Sequence, residues 1–447
     1  MQYNIGVVSL GCSKNLVDTE IMLGLLQQGG YAIVNKPEDA HVLIVNTCGF
    51  IDSAKQESID NILQMAEYKE TGKCKILIVT GCLAERYRDD VIKEIPEVDA
   101  VIGTGNYTEI AEVIQEAFGG KKVIRYGNMD NSNDEGLPRL QSTPSYTAFL
   151  KVADGCDNLC TYCIIPKLRG KYRSRTIESI VREAAQMSER GVKELIIIAQ
   201  DTTRYGIDLY GSHKLDDLLE ELCKIEKIEW IRLHYCYPEE ITENLVNTIA
   251  NNSKICHYID MPIQHASNKI LKRMGRRGTR EQVLALIKNI KEKMPDVALR
   301  TSIIVGFPGE DEDDFGQLVS FIKEVKFDRL GVFKYSQEED TPAALFKDQI
   351  ADETKEDRYN RLMTIQNEIS MEQNMKKVGK VFKVLVEGYD KDIYLYYGRT
   401  YADSVDIDGK VLFSSIVQFE PGDLVSVKIN QVSNYDLIGE SLDESGK

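Results

Sequence analysis

Three cysteines in the segment GCDNLCTYCIIP, Cys156, Cys160 and Cys163, stand at the spacing C-x3-C-x2-C just after the apolar run TAFLKVAD. Three thiolates on one short loop can ligate three irons of a cubane cluster. No fourth cysteine lies within reach in the loop, so one iron would stay open to a small chelating molecule, as open zinc sites hold water. Zinc is the rival occupant, but it favours paired C-x2-C units or histidines, and the chain has five His. A second set is dispersed. Cys12, Cys48 and Cys82 each directly follow a strand-like run: VVSLGC, LIVNTC and LIVTGC. In a parallel sheet those three ends open on one edge, so the thiols converge and form another three-thiolate set. Lys14, Asn15 and Asn46 lie on the same rim, where turn and helix-cap chemistry accounts for them. Cys74 begins a run instead and belongs to the opposite edge. Cys223, Cys236 and Cys256 read as small buried hydrophobes. A disulfide framework is a poor explanation for these ten cysteines in a reducing compartment.

The elements that must position these groups are α/β in class. In residues 1–125 strand patterns alternate with helix patterns, among them NLVDTEIMLGLLQQGG, SAKQESIDNILQMAEYK and AERYRDDVIKEI. Such alternation predicts a parallel sheet covered on both faces. Residues 126–145, rich in Asn, Ser, Gly and Pro, read as a linker. Over 146–350 six strand candidates recur with helices between them: TAFLKVAD, KELIIIAQD, EWIRLHY, CHYIDM, VALRTSIIVGF and RLGVFKYS. Six strand–helix units suggest a partial (β/α)6 barrel of the TIM type, with its reactive site at the C-terminal strand ends. Residues 351–377 form a charged helical connector. From 378 to 447, VFKVLVEGYD, DIYLYYGRT and LVSVKINQV alternate with glycine-containing turns, which predicts a small antiparallel β-barrel.

The cysteine triplet resembles the signature of the radical S-adenosylmethionine (SAM) enzymes. The resemblance implies a [4Fe-4S] cluster on Cys156, Cys160 and Cys163 whose open iron is chelated by SAM, and one-electron cleavage that yields a 5′-deoxyadenosyl radical. In that setting IIVGFPGE, which ends a strand, offers Gly306, Pro308, Gly309 and Glu310 as cofactor contacts; an ordinary strand–turn–helix is the alternative. Gln200 and Asp201 end KELIIIAQD, where such barrels place ribose-binding groups, and Asp201 could equally cap the next helix. Tyr162 either packs beside the cluster or walls the site, and the role of His265, in MPIQHAS, stays open. Over essentially the whole chain the order of parts resembles the methylthiotransferase family. A three-cysteine first domain, a radical barrel and a TRAM-type C-terminal barrel follow one another. VSLGCSKNLVDTE, NTCGFIDSAKQESI, CTYCIIPKLRGKYRSR, MPIQHASNKILKRMGR and VFKYSQEEDTPAA are similar to the branch that modifies a ribosomal protein. The tRNA-modifying branch reads more like YGCQMN and NTCSVRE. Two departures are Thr176, where Pro often follows SR, and Asp340, where Gly often precedes TP. The resemblance implies a second [4Fe-4S] cluster on Cys12, Cys48 and Cys82, and methylthiolation of the β-carbon of an aspartate in protein twelve of the small ribosomal subunit.

Charge tests the partner independently. The chain has 55 Lys+Arg against 71 Asp+Glu, a net charge of −16, which disfavours broad nucleic-acid binding. Residues 380–447 carry 7 Lys+Arg and 12 Asp+Glu, a barrel better matched to a basic protein than to phosphates. Tyr394, Tyr396, Tyr397 and Tyr401 are contact candidates there, or barrel core. Two basic runs, Lys167, Arg169, Lys171, Arg173 and Arg175, and Lys272, Arg273, Arg276, Arg277 and Arg280, keep a tRNA substrate as the alternative; a non-catalytic iron–sulfur carrier is the third reading. With neither a membrane span nor a signal peptide in the sequence, a cytoplasmic protein is expected, a monomer by default, served by an external electron donor.

Overall fold

The computed structural model describes residues 3–127, 129 and 135–443. Its first sheet comprises β1 (Asn4–Ser9), β2 (Ala32–Ile33), β3 (Val42–Thr47), β4 (Ile76–Gly81), β5 (Ala100–Ile102) and β6 (Val123–Arg125), in the order β2-β1-β3-β4-β5-β6, parallel throughout. The unbroken apolar runs of β3 and β4 are buried at every position, as strands covered on both faces must be. Three helices start at or just beyond the ends of these strands: α1 (Ser13–Gln28), α2 (Asp52–Ala66) and α3 (Cys82–Tyr87). The run AERYRDDVIKEI, expected as one helix, breaks at Arg88, which has φ +47. Its guanidinium bonds Glu85 Oε1 at 2.9 Å and lies 5.0 Å from the centre of the Tyr126 ring.

Part of the expected linker, residues 128 and 130–134, lies outside the described residues. The rest is tied to α1. Arg139 pairs with Glu20 and Glu183, and Ser142 donates to Glu20 from its backbone and its hydroxyl. A Cβ on Gly24 would lie 2.5 Å from Pro138 O, so α1 admits the linker because glycine stands there.

The second sheet holds the six expected strands: β7 (Thr147–Lys151), β8 (Glu194–Ile198), β9 (Trp230–Leu233), β10 (Ile255–Asp260), β11 (Ala298–Val305) and β12 (Arg329–Lys334). They are parallel in sequential order, an open sheet rather than a closed ring. A short helix, α4 (Ile165–Arg169), follows the cysteine loop, and the connector is one helix, α5 (Asp352–Met375). Ile196 and Ile198 of β8 pack with Val17 and Ile21 of α1, so the first unit helps fill the open barrel.

The last unit is a closed barrel of β13 (Val381–Asp390), β14 (Leu395–Arg399), β15 (Val411–Ser414), β16 (Leu424–Val432) and β17 (Leu437–Ser441), in the order β13-β14-β15-β17-β16. It is not wholly antiparallel: β15 and β17, two short strands absent from the sequence reading, pair in parallel. Its loop 400–409 also enters the open barrel. Arg399 and Arg232 both bond Glu194, Arg329 pairs with Asp403, Tyr258 donates to Asp408 at 2.7 Å, and His234 Nε2 lies 2.8 Å from Ser404 Oγ. Burial alone would raise the Glu194 carboxyl; Arg399 and Arg232 hold it down at about 2.

Candidate active site: two thiol sets on facing sheet edges

β1, β3 and β4 are neighbours, so Cys12, Cys48 and Cys82 leave adjacent strands at the same edge. Gly11 makes the first turn possible. Its φ is +85, and a Cβ there would lie 2.8 Å from Cys48 Cβ and 3.1 Å from its Sγ. Asn15 ties the turns together, donating to Leu10 O at 3.0 Å and Thr47 O at 2.8 Å, with its Oδ1 4.0 Å from Cys82 Sγ. Asn46 donates to Asn15 O and Thr19 Oγ1, so both asparagines hold turns, as expected. Cys74 is buried before β4, away from this edge. Desolvation works against ionising Cys12, but the Lys14 ammonium and the Arg169 guanidinium outweigh it and hold the thiol below its ordinary value. Burial pushes Cys82 up to about 12, with the charges of Cys12 and Cys48 adding to the rise.

Cys156, Cys160 and Cys163 sit at the C-terminal edge of the second sheet. The loop is held from both sides. Cys156 N donates to Gly170 O at 3.1 Å, Thr161 N to Met274 O at 2.9 Å and Ala343 N to Thr161 O at 2.9 Å. Burial pushes Cys156 up to about 11, and Cys163 higher still with the charges of Cys160 and Cys156 against it. Tyr237 Oη lies 4.0 Å from Cys160 Sγ, and Arg276 stacks 3.7 Å from the Tyr237 ring centre. Tyr162 packs edge-on against Phe307 at 6.5 Å.

The two edges face each other, and one segment bridges them. Ile164 and Leu168 pack on Cys82, and Thr104 Oγ1 donates to Leu168 O at 2.6 Å. Buried Arg169 bonds Asp18 at 2.6 Å, Asp154 at 3.2 Å and Asn15 Oδ1 at 2.5 Å, while Lys151 reaches Asp18 at 2.5 Å. On the far side Arg86 and Lys55 both bond buried Glu338, at 2.9 and 3.0 Å. The residue following Glu339, Asp340, adopts φ +65, a conformation that glycine takes more easily.

The remaining expected contacts divide. Gln200 donates to Asp154 Oδ1 at 2.7 Å, and its Oε1 is a buried acceptor without a partner among the described residues. Asp201 serves as the cap left open for it: Oδ1 accepts from Thr203 N and Oγ1, and Oδ2 accepts from Asn158 of the cysteine loop at 2.8 Å. Gly306 and Gly309 have φ +71 and +81, but their missing Cβ positions face Lys355, and Arg273 with Asp348, rather than open space. Pro308 is buried between them. Glu310 accepts from Gly306 N and Phe307 N and pairs with Arg358 at 3.0 Å. These contacts are those of a strand–turn–helix corner at the C-terminal end of β11. His265 Nδ1 accepts from Ser267 N at 2.9 Å, and its Nε2 lies 3.6 Å from Glu310.

Three comparisons bear on this arrangement. Residues 4–103 match the Uncharacterized protein family UPF0004, 150–322 the Radical SAM superfamily and 378–442 the TRAM domain. The ribosomal protein uS12 methylthiotransferase RimO of Clostridioides difficile (strain 630) is 55% identical, covering 98% of this chain and 99% of the relative. Its counterpart in Acetivibrio thermocellus is 53% identical over the full length of both. The chain belongs to the RimO family. Among solved structures, this RimO-family chain shares its fold with the radical SAM methyltransferase TsrM from Kitasatospora setae, solved with cobalamin and a [4Fe-4S] cluster bound. The TM-score is 0.57 at 12% identity, covering 77% of this chain and 74% of that one.

The donor chemistry of the RimO-family site fits clusters. Each edge offers three thiols and the first set is cradled by a glycine whose Cβ would press on Cys48. Among the described residues no three His, Cys, Asp or Glu groups close on a single ion; the thiols are neighbours rather than a tight one-ion cage. The sequence reading missed Arg169 as a linking group, because nothing local in a basic run reveals a carboxylate 151 residues away. Tyr237 and Arg276 were missed for the same reason.

Proposed function

We propose that this chain transfers a methylthio group to the β-carbon of an aspartate in ribosomal protein uS12 by radical SAM chemistry. Its likeness to RimO relatives along the whole chain carries the reading, and the two facing thiol sets give it a physical basis. Cys156, Cys160 and Cys163 would hold one [4Fe-4S] cluster with SAM at its open iron, and Cys12, Cys48 and Cys82 a second. When bound, these groups supply one-electron cleavage of SAM and the sulfur to be transferred. A C–H bond beside a carboxylate is too weakly acidic for an ordinary side-chain base at neutral pH. The chain's own part is to hold the edges together through Asp18, Asp154, Lys151 and Arg169, whose bonds cross between them. Gln200 Oε1, unpartnered in its buried place, is suited to accept from a ligand hydroxyl such as a ribose.

The labour divides as 1–125 for the second cluster, 146–350 for SAM and 378–447 for the substrate protein, joined by 126–145 and 351–377. We place the enzyme in the cytoplasm as a monomer reduced by an external donor. No helix among the described residues is long and apolar enough to cross a membrane. A tRNA substrate is disfavoured by the likeness to RimO relatives, and several arginines of the basic runs already pair with carboxylates: Arg175 with Glu183, Arg273 with Asp348, Arg276 with Glu239, Arg277 with Glu240 and Arg280 with Glu324. Mass spectrometry of uS12 and tRNA from cells lacking the enzyme tests the reading. A methylthio mass missing from uS12 with tRNA unchanged is expected; the reverse selects the tRNA reading. Replacing Cys156, Cys160 and Cys163 by Ala should abolish SAM cleavage, and a wild-type chain that never cleaves SAM would be a carrier.

A further inference from the structure

Lys14 follows the first thiol of its set by two residues and is 7% exposed. Its Nζ stands 3.5 Å from the centre of the Tyr235 ring, at the C-terminal end of β9 in the opposing barrel. The ring is held for this. Tyr235 adopts φ +61, its N–H donates to Asp260 Oδ2 at 3.0 Å and its carbonyl accepts from Thr202 N at 3.0 Å. Thr202 adjoins Asp201, which bonds Asn158 in the other cysteine loop. The ammonium therefore lies beside the first thiol set where that edge meets the barrel.

The other buried cations where these edges meet have carboxylates. Lys151 and Arg169 have Asp18, and the half-buried Arg86 and Lys55 have Glu338. Lys14 pairs with no carboxylate among the described residues; its partners are the Tyr235 ring and the Cys12 thiol, whose ionisation it favours. The aromatic face and the Cys12 thiol hold the ammonium without giving it the carboxylate that its neighbours have. Such a group is a site for an incoming anion.

We propose that Lys14 binds the side-chain carboxylate of the uS12 aspartate that is modified. This rests on the function proposed above. The carbon to be opened is bonded directly to that carboxylate, so an ion pair there fixes the distance and angle of the reacting C–H bond. A compact ammonium with three donors serves one carboxylate on a crowded floor better than a planar guanidinium needing a wide approach.

The test uses the full chain with both clusters reconstituted anaerobically. Binding of whole uS12 is measured without reductant, then KM and kcat with it, for wild type, Lys14→Met and Lys14→Arg, on uS12 carrying Asp or Asn at the target. Lys14→Met is expected to weaken Asp-uS12 binding and raise its KM by about tenfold or more, the size of coupling between close charge pairs. Lys14→Arg should recover part of the loss. Asn-uS12 should bind wild type as weakly as Lys14→Met binds Asp-uS12, with no further loss when the two changes are combined. KM for SAM should not move, and binding and KM for uS12 are compared at iron content matched to wild type, because Lys14 also favours the Cys12 thiolate. Equal weakening of both substrates, or none, overturns the assignment. A raised KM for SAM would assign Lys14 to the SAM carboxylate instead and overturns it too. If wild type methylthiolates uS12 and Lys14→Met binds as tightly, only Lys14 is misassigned; if wild type leaves uS12 unchanged, the proposed function itself falls, and the carboxylate anchor with it.

Discussion

At Gly11 and Arg169 single residues decide whether the thiols meet. Gly11→Ala would place a Cβ against Cys48 at a φ of +85, a conformation costing an L-residue roughly 1–2 kcal/mol. The expected outcome is a folded chain that loses the cluster on Cys12, Cys48 and Cys82 and keeps the one on Cys156, Cys160 and Cys163, so iron analysis should fall from about eight to about four per chain. Arg169→Met removes the guanidinium that Asp18 and Asp154 share and leaves both leaning on Lys151. Breaking a buried pair this way costs about 3–5 kcal/mol, readable as a lowered midpoint in chemical denaturation. The cysteines themselves were legible in sequence because strand-end position and C-x3-C-x2-C spacing are local. Lys14, read only as rim chemistry, was not, since its meaning lies in Tyr235 of another sheet.

Among the elements, loop 400–409 is the one whose role the sequence hid. It plugs the open barrel through His234, Tyr258, Arg300 and Arg329. Burial, against the pull of Asp260, takes His234 down from 6.5 to about 3. The folded chain therefore keeps it neutral where the unfolded chain protonates it, and stability rises with pH between those values and falls as pH is lowered through them. From pH 6.5 to about 5 this one group should cost about 2 kcal/mol. His234→Gln should flatten that part of the stability–pH curve, measured by thermal melts against wild type. The six strands of the second sheet were readable because their runs are long and apolar. β15 and β17 are short and mixed, and barrel closure rather than their own pattern makes them strands. Of the four tyrosines singled out in this unit, Tyr396 stacks on Phe413 in the core, Tyr401 donates to Asp296 O, and Tyr394 is exposed.

As a whole the molecule is a sandwich of functions around one interface. The last barrel docks on buried charges, so truncation after residue 377 would leave Glu194 with Arg232 alone and Arg329 without Asp403. The truncated chain is expected to be far less stable and to aggregate, checked by light scattering and thermal melts. With a net charge of −16 and several arginines of the basic runs paired with carboxylates, tRNA binding should be weak and show few counterions released, a log–log salt slope below about 2 in magnitude. By itself the sequence determined the α/β class, the order of the three units and both thiol sets, because strand period, apolar runs and cysteine spacing act over a few residues. Only the tertiary structure decided that the two sheet edges face each other, that Arg169 and Lys14 stand between them, and that a C-terminal loop fills the open barrel. Those facts depend on pairs of groups far apart in sequence, from 74 residues for Arg329 and Asp403 to 221 for Lys14 and Tyr235, whose burial and charge matching exist only once the chain has closed on itself.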